Sequence, residues 1–359
     1  MMPVRRLAVG TLLVAAASVA DCAHVDRLSK DPSRPPHDTA QTRLAAIRRA
    51  HVWAATDVAS MDLMTGPSGP GAFPPNTTVT CDYVDKKMGG RSPKFTCVIP
   101  PDEELKVKFG PGNGEVYGEV AASRLFWALG FGADRLYPVH VVCRGCPSNI
   151  QGTDIATIQR KMAGREIEMA AGSGWAWPEL DLVDPAAAGA VRAERGALKL
   201  LAVLIQHTDS KPEQQRLLCV GSHEKRRDAE SCSETFMMVH DLGLTFGHAN
   251  LFNRNSVGSV NLTEWSQASI WTDPVRCVAN LSKSLTGTLN NPSITEAGRR
   301  FLADLLVQLT DAQLHDLFEV ARVTNRSTVA NRSAGTTIEE WIDAFKQKRN
   351  DVVNHTCPE

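Results

Sequence analysis

Short runs that alternate apolar and polar positions begin at Thr77 and predict a group of β-strands. The runs are rich in β-branched and aromatic residues and are separated by Gly- and Pro-containing turns; they read TVTCDYV, KFTCVI and ELKVKF. In the last run, Leu105, Val107 and Phe109 fall on one face of the strand. Apolar residues then recur at helical spacing in GEVAASRLFWALGF, and another strand-like run follows in RLYPVHVVC. The pattern therefore predicts three strands, a helix and a strand over residues 77–143.

The rest of the chain has mainly the apolar spacing of helices. Asp184 and Pro185 are typical of an N-cap and first turn, and they predict a helix that runs to about His207. Two later apolar runs are preceded by pairs with capping-box spacing, namely Ser293 with Glu296 and Thr337 with Glu340. The predicted fold class is α+β, with a β-rich amino-terminal part that contains one main helix and a larger, mostly helical carboxy-terminal part.

The first twenty residues have the pattern of a secretory signal peptide. Two arginines precede the apolar run LAVGTLLVAAASVA, and Ser18-Val19-Ala20 offers small residues for cleavage. The run is shorter than the roughly 20 residues that a membrane-spanning helix needs. Residues 21–40 are polar and Pro-rich and are expected to form a disordered tether. Cys22 fits a bacterial lipobox loosely, so membrane attachment through a lipid on this cysteine stays open.

Composition and charge are those of an ordinary globular protein. The 359 residues are 43% hydrophobic and 22% charged, which is enough chain for a large core in two domains or in one two-lobed unit. The formal net charge of −1 gives no electrostatic basis for binding nucleic acid or an anionic membrane surface.

Nine cysteines agree with export, because disulfides persist in oxidising compartments. With Cys22 set aside, the simplest local pairing joins Cys81 with Cys97, Cys143 with Cys146, Cys219 with Cys232, and Cys277 with Cys357. Cys143 and Cys146 also have the spacing of a redox-active pair or of one half of a zinc site, although the sequence has no second such pair.

Residues 207–214 resemble the catalytic loop of protein kinases. Their sequence HTDSKPEQ is similar to His-Arg-Asp-Leu-Lys-Pro-Glu-Asn, with Thr in place of Arg and Gln in place of Asn. The resemblance implies that Asp209 is the catalytic base, that Lys211 contacts the transferred phosphoryl group and that Gln214 is a metal ligand. A glutamine still supplies the carbonyl oxygen that a hard cation binds.

Three further residues resemble kinase elements in the kinase order. Asp241 begins an Asp-Leu-Gly sequence after the apolar run MMVH, which implies the magnesium ligand of the kinase Asp-Phe-Gly. Lys108 lies on the third predicted strand, and the resemblance implies that it is the phosphate-binding lysine. Lys106 lies on the same face of that strand and is the alternative. Glu119 opens the following helix, which is similar to the glutamate-bearing helix of secretory-pathway and HipA-type kinases. This resemblance implies that Glu119 is the ion-pair partner of that lysine.

The turn at residues 86–93 lies where kinases have a phosphate-covering loop. It lacks the pattern Gly-x-Gly-x-x-Gly. Gly89, Gly90 and Ser92 are its candidate phosphate contacts through backbone N–H groups and the serine hydroxyl.

Together these elements make the chain similar to the atypical protein-kinase-like superfamily over roughly residues 77–250. The resemblance implies a two-lobed kinase-like fold, with a nucleotide-binding N-lobe at residues 41–150 and a helical C-lobe at residues 151–359. It implies an exported phosphotransferase that uses ATP and magnesium or manganese and modifies a hydroxyl of a protein or glycan. The expected partners are a nucleotide and that unidentified acceptor. The kinase Ala-Pro-Glu sequence is missing, so peptide docking is not implied.

Other interpretations stay open. Thr208 and Gln214 depart from the kinase pattern, and this favours a non-catalytic pseudokinase that serves as a cell-envelope or secreted interaction module. The same fold could also transfer AMP instead of phosphate. Taken singly, an aspartate in a turn or a lysine on a strand face is ordinary, and a glutamate near a helix start is favoured by the helix dipole.

Overall fold

The computed structural model describes residues 38–169, 172–220, 232–247, 259–326 and 335–358 of the chain. In chain order its helices and strands are α1 (Ala40–Arg48), β1 (Ala50–His51), β2 (Thr77–Val84), β3 (Lys94–Ile99), β4 (Glu103–Phe109), α2 (Glu115–Ala128), β5 (Arg135–Arg144), β6 (Ala156–Arg160), β7 (Arg165–Glu166), α3 (Arg192–Leu204), β8 (Gln215–Cys219), β9 (Thr235–Val239), α4 (Leu262–Gln267), β10 (Trp271–Asp273), β11 (Val278–Ala279), α5 (Glu296–Leu306), α6 (Asp311–Val320) and α7 (Ile338–Val353). Short 3₁₀ turns connect several of them.

A closed barrel forms from five strands in the order β2-β3-β4-β6-β5. The parallel pairing of β2 with β5 closes it, and the other neighbours are antiparallel. Alternate side chains fill the interior because successive residues of a strand point to opposite faces; they include Val79, Phe95, Leu105, Val107, Tyr137 and Ile158. The three strands, helix and strand predicted for residues 77–143 are all present.

Helix α2 is buried on almost every side, and most of its residues are apolar or small, although Glu119 and Arg124 are buried as well. It packs against β5 and α6. A second sheet, in the order β1-β9-β8-β7, lies in the larger hydrophobic core that also contains α2, α3 and α5. Helices α3 and α5 cross closely where a Cβ on Gly196 would come within 3.0 Å of the Cα of Gly298.

The strands β6, β8 and β9 were not among the predicted elements, and neither were the two- and three-residue strands β1, β7, β10 and β11. β8 and β9 are buried at every position, and β6 is buried at all but its last residue. The run FMMV in β9 is continuously apolar, and periodicity alone cannot distinguish such a run from a buried helical segment. In β6 and β8 the buried polar residues Gln159, Gln215 and Arg216 interrupt the apolar pattern. β6 lies beyond the predicted N-lobe boundary at residue 150, yet it pairs with β4 and β5 in the barrel.

Two predicted helix starts were wrong. Asp184 caps a 3₁₀ turn at Pro185–Ala187, after which Ala188 takes a left-handed φ of 63° and ends it, so that α3 begins only at Arg192. Ser293 is not a cap either, because the side chain of Thr295 accepts the hydrogen bond from the N–H of Gly298 at the start of α5. The capping box predicted before α7 is confirmed.

The predicted cysteine pairing is confirmed, with disulfides at Cys81–Cys97, Cys143–Cys146, Cys219–Cys232 and Cys277–Cys357. Residues 37–359 form one unit. The predicted signal peptide, Cys22 and the predicted tether up to residue 37 lie outside the described residues. Within the described ranges, no helix has both the length and the apolar content to cross a bilayer.

Candidate active site

Lys108 is the centre of a buried cluster of charges. It lies on β4 with 1% of its side chain exposed, and its Nζ is 2.7 Å from Oε2 of Glu119 and 2.8 Å from Oε2 of Glu115. Oδ1 of Asp241 lies 3.4 Å away. Burial acts to lower the pKa of Lys108, but the three carboxylates together raise it well above its usual value. The lysine is therefore a permanent cation surrounded by three carboxyl groups.

Both glutamates of the cluster come from the first two turns of α2. They are four residues apart and so share one face of the helix. Asn113 fixes this end of α2, because its Nδ2 donates to the carbonyl oxygens of Pro93 and Phe109 while its Oδ1 accepts from the N–H of Glu115. Burial raises the pKa of Glu119 to about 7, with Lys108 opposing the shift.

Asp241 follows directly after β9, beside the end of the loop at residues 207–214. The register of β8 and β9 pairs Gln215 with Val239, which places Gln214 next to Asp241. Accordingly, the N–H groups of His240 and Asp241 both donate to the carbonyl oxygen of Gln214, at 2.8 and 3.2 Å. Burial acts to raise the pKa of Asp241, but the Lys108 charge and others hold it well below its usual range.

Gly243 completes the turn after Asp241 by allowing a close approach to α2. Its N–H donates to Oδ1 of Asp241 at 3.2 Å. A Cβ at this position would lie 2.6 Å from Cγ of Glu115. A larger residue would therefore push apart the two elements that supply the carboxylates.

Asp209 organises the polar side chains of the loop after α3. Its Oδ2 accepts a hydrogen bond from Nε2 of Gln214 at 2.8 Å and lies 3.3 Å from Nζ of Lys211. Because the amide nitrogen of Gln214 is used in this way, its oxygen is the atom left for a cation. The three residues predicted for this loop thus form one contact group.

His207 supports this loop by packing, since its side chain is fully buried. Neither of its ring nitrogens has a hydrogen-bond partner among the described residues. Its ring centroid lies 6.3 Å from that of Trp177. Burial lowers the pKa of His207 to about 4, so the ring is neutral at pH 7.

Two backbone hydrogen bonds join the segment after Asp241 to the end of α3 and to the 207–214 loop that follows it. The N–H of Thr208 donates to the carbonyl of Leu244 at 3.3 Å, and the N–H of Phe246 donates to that of Ile205 at 2.7 Å. The two motifs recognised in the sequence are therefore parts of one continuous structure.

The remaining predicted contacts lie at the edge of this site. Lys106 is half-buried on the same strand face as Lys108, and burial together with the neighbouring charge of Lys108 lowers its pKa. Gly89, Gly90 and Ser92 lie in the exposed loop between β2 and β3, where Gly90 has a φ of 84°. In the part of the chain that the structure describes, no hydrogen bond or ion pair joins these three loop residues to Lys108.

A buried polar network behind Asp241 was missed by sequence reasoning. Asp134, whose side chain is fully buried, accepts from Nε2 of Gln159 at 2.6 Å and from the N–H of Met162 at 2.9 Å. Its Oδ2 also lies 3.1 Å from Nδ1 of His240 and 3.3 Å from a guanidinium nitrogen of Arg216. Nδ1 of His240 therefore contacts both Asp134 and Gln159 within this network. The neighbours of Asp134 come from three separate segments, at residues 159–162, 216 and 240, and form no local motif.

The chain is similar to known proteins at the level of solved structures. No protein-family model matches the chain. No curated protein matches it significantly. Among solved structures, it is similar to the crystal structure of a Helicobacter pylori proinflammatory kinase, CtkA, with 11% sequence identity and a TM-score of 0.41 over 78% of this chain and 96% of that chain. At this identity and TM-score, the similarity assigns neither a family nor an activity.

Proposed function

We propose that this protein is an exported kinase-like phosphotransferase. In this proposal it moves a phosphoryl group from ATP to a hydroxyl of a protein or glycan, and its fold has the two lobes of a kinase. The observation that carries the proposal is the ion-pair cluster in which Lys108 joins Glu119 of α2 to Asp241 after β9, across 133 positions of sequence. Kinase chemistry requires this lysine–glutamate pair and this aspartate together. Four disulfides support export.

The donor set fits a hard divalent cation. Oxygen atoms of Glu115, Glu119 and Asp241 lie within 4.8 Å of one another. These three carboxylates outnumber the ammonium groups of Lys106 and Lys108 that face them, which leaves an excess of negative charge. Magnesium and manganese prefer such oxygen ligands. When bound, the ion would neutralise charge on the nucleotide phosphates; Asp241 and the amide oxygen of Gln214 would hold it.

The remaining roles in this proposal are those that the resemblance to kinases implies. Lys108 would bind the nucleotide phosphates, and Glu119 would keep its ammonium in place. Asp209 would accept the proton of the acceptor hydroxyl, since a carboxylate is the usual base for this step. Lys211, whose side chain is 35% exposed, lies beside Asp209 and would stabilise charge on the transferred group. Lys106 and the loop of Gly89, Gly90 and Ser92 would form the edge of the nucleotide site.

Activity of the full chain tests this proposal. ATP consumption and self-modification would be measured with magnesium and with manganese, and the added mass would distinguish phosphoryl transfer from AMP transfer. Asp209→Asn is expected to reduce turnover roughly 10²- to 10⁴-fold, the usual contribution of a positioned base. Asp241→Asn is expected to abolish it, whereas Asp304→Asn on the exposed face of α5 leaves it unchanged. No turnover with any acceptor would contradict the proposal.

One observation favours the non-catalytic alternative. Lys108 already has three carboxylate neighbours and is only 1% exposed, so a phosphate can reach it only if Glu115 moves away. A thermal shift assay separates the two functions, because a ligand that binds only the native state raises the melting temperature by mass action. A rise with ATP and magnesium that Asp241→Asn removes supports a nucleotide site. No rise with any nucleotide favours a pseudokinase interaction module.

A further inference from the structure

A second concave site lies beside α3 and the loop that precedes α5; we call it the basic cleft. Its volume is about 550 Å³, which is within the range of small-molecule sites. Its wall includes Arg192, Arg195 and Lys199 of α3 together with Asn290 and Asn291 of the loop. None of these residues belongs to the Lys108 cluster.

The basic cleft carries excess positive charge. The three cations lie three and four residues apart on α3, so that they face the same side of the helix. Among the described residues of the wall, Asp181 is the single acid; its carboxylate is 69% exposed and lies 2.8 Å from Nζ of Lys199. Three cations less one carboxylate leave a formal charge of +2, which matches a dianion.

One of these cations is already oriented. A guanidinium nitrogen of Arg195 donates to the carbonyl oxygen of Leu180 at 2.7 Å, which fixes the side chain in the wall. A guanidinium held in this way loses little freedom when an anion binds. Its planar fork also matches the oxygens of a phosphate or sulfate group.

The neutral side chains of the cleft also favour an anion. Oδ1 of Asn290 accepts from the N–H of Lys283 at 3.3 Å, and Oδ1 of Asn291 accepts from the N–H of Leu281 at 3.0 Å. Because each amide uses its oxygen internally, each presents its NH₂ group as the remaining polar function. The wall therefore offers hydrogen-bond donors and cations to a ligand.

We propose that the basic cleft binds a phosphate or sulfate ester carried by a small organic molecule. The charge and the donors specify the anionic group, and the volume leaves room for its carrier. Thr288 links the cleft to the candidate catalytic loop, since its Oγ1 donates to the carbonyl oxygen of Ser210 at 2.8 Å. Binding in the cleft is independent of the phosphotransferase activity proposed above.

Calorimetric titration of the full chain, without nucleotide or metal, tests this site. The probes are glucose 6-phosphate, O-phosphoserine and inorganic phosphate, with glucose and serine as uncharged controls. At least one ester is expected to bind more tightly than inorganic phosphate, with an affinity that falls as salt rises. Binding of glucose as tightly as of its phosphate would overturn the proposal. An equal affinity for inorganic phosphate would overturn the role of the carrier and indicate an ion site.

Matched variants locate the binding. Arg192→Gln, at an exposed position, and Lys199→Gln are each expected to weaken the ester about tenfold, as loss of a charge-assisted hydrogen bond does. Arg276→Gln removes a charge outside the cleft, 82% exposed, and should leave the affinity unchanged. Melting temperatures confirm that each variant is folded. If Lys211→Gln removes binding and Arg192→Gln does not, the anion binds at the candidate active site and the proposal is wrong.

Discussion

Glu115 lies 2.8 Å from the ammonium of Lys108 and is the more accessible of the two α2 carboxylates that bind it, with 14% of its side chain exposed against 1% for Glu119. A ligand that approaches Lys108 would therefore contact Glu115 and not Glu119. Glu119 is fixed in the interior. Glu115 occupies the side of the lysine that a nucleotide phosphate would need in the function proposed here.

Glu115→Gln is expected to strengthen nucleotide binding. The variant removes a negative charge that competes with phosphate for Lys108, while Glu119 still orients the lysine. We expect the Kd for ATP with magnesium to fall about tenfold, equal to about 1.4 kcal/mol. Calorimetric titration of the wild type and the variant measures the change.

Glu339→Gln is the matched control for this titration, because Glu339 is an exposed glutamate in the first turn of α7. Its affinity should equal that of the wild type. A weaker affinity in Glu115→Gln would contradict the competition and would make Glu115 a ligand of the bound cation.

Loss of the cation at the centre of the cluster should destabilise the fold. Lys108→Met leaves Glu119 buried without its counter-ion, and breaking a buried pair in this way costs about 3 kcal/mol or more. The double variant Lys108→Met with Glu119→Gln should lose less than the sum of the single losses, by about 1–3 kcal/mol. Urea unfolding at pH 7.5 measures the free energy of unfolding of the two single variants, Lys108→Met and Glu119→Gln, and of the double variant.

Lys86→Met is the comparison for an exposed ion pair in this double-mutant experiment. Lys86 pairs with Glu104, and both side chains are about half exposed. The loss should be below about 1 kcal/mol, as for other surface pairs. If the losses in free energy of unfolding for Lys108→Met and Glu119→Gln add up to the loss in the double variant, Lys108 and Glu119 do not stabilise each other.

The parts of the site that could be predicted from sequence are those with a local pattern. Asp209, Lys211 and Gln214 lie in one short motif, and the structure joins them by direct contacts. Lys108 and Glu119 can be predicted because a strand and a helix follow one another in the order seen in kinases. Their roles in binding and catalysis stay predictions.

Glu115 and the Asp134 network could not be found in the same way. Glu115 lies four residues before Glu119, so helical spacing alone would have placed both on one face, but only the fold shows that this face meets Lys108. Asp134 contacts Gln159, Arg216 and His240, which are 25, 82 and 106 positions away. Such contacts depend on the arrangement of β6, β8 and β9 and leave no local sequence pattern.

Stability should depend on pH through Glu119. Its pKa is raised from 4.5 to about 7 in the folded state, so the native protein binds a proton that the unfolded chain releases between these values. The resulting stabilisation is fully present below pH 4.5 and is lost as pH rises through 7. We therefore expect this residue to contribute a loss of about 2 kcal/mol or more between pH 5 and pH 8.

The comparison with Glu119→Gln isolates this contribution. His207 acts in the opposite direction, since its lowered pKa of about 4 makes the folded protein less stable as pH falls below 6.5. The informative quantity is therefore the difference between wild type and variant in the free energy of unfolding, measured by urea at pH 5 and pH 8. A difference that does not change with pH would show that Glu119 is ionised throughout this range.

The disulfides should contribute to stability in the order of the loops they close. Cys277 and Cys357 are 80 positions apart, whereas Cys143 and Cys146 are 3 apart. A crosslink removes more conformational entropy from the unfolded chain when its loop is longer, which gives about 4 kcal/mol for the first bridge and about 2 kcal/mol for the second. Replacing both cysteines of each bridge by alanine, followed by urea unfolding without reductant, measures these losses.

The variant without the Cys277–Cys357 bridge should also show a larger urea m-value, because its unfolded chain exposes more surface. Equal losses with unchanged m-values would mean that the bridges act on the folded state, where Cys357 also donates its N–H to Oε2 of Glu296 at 2.8 Å.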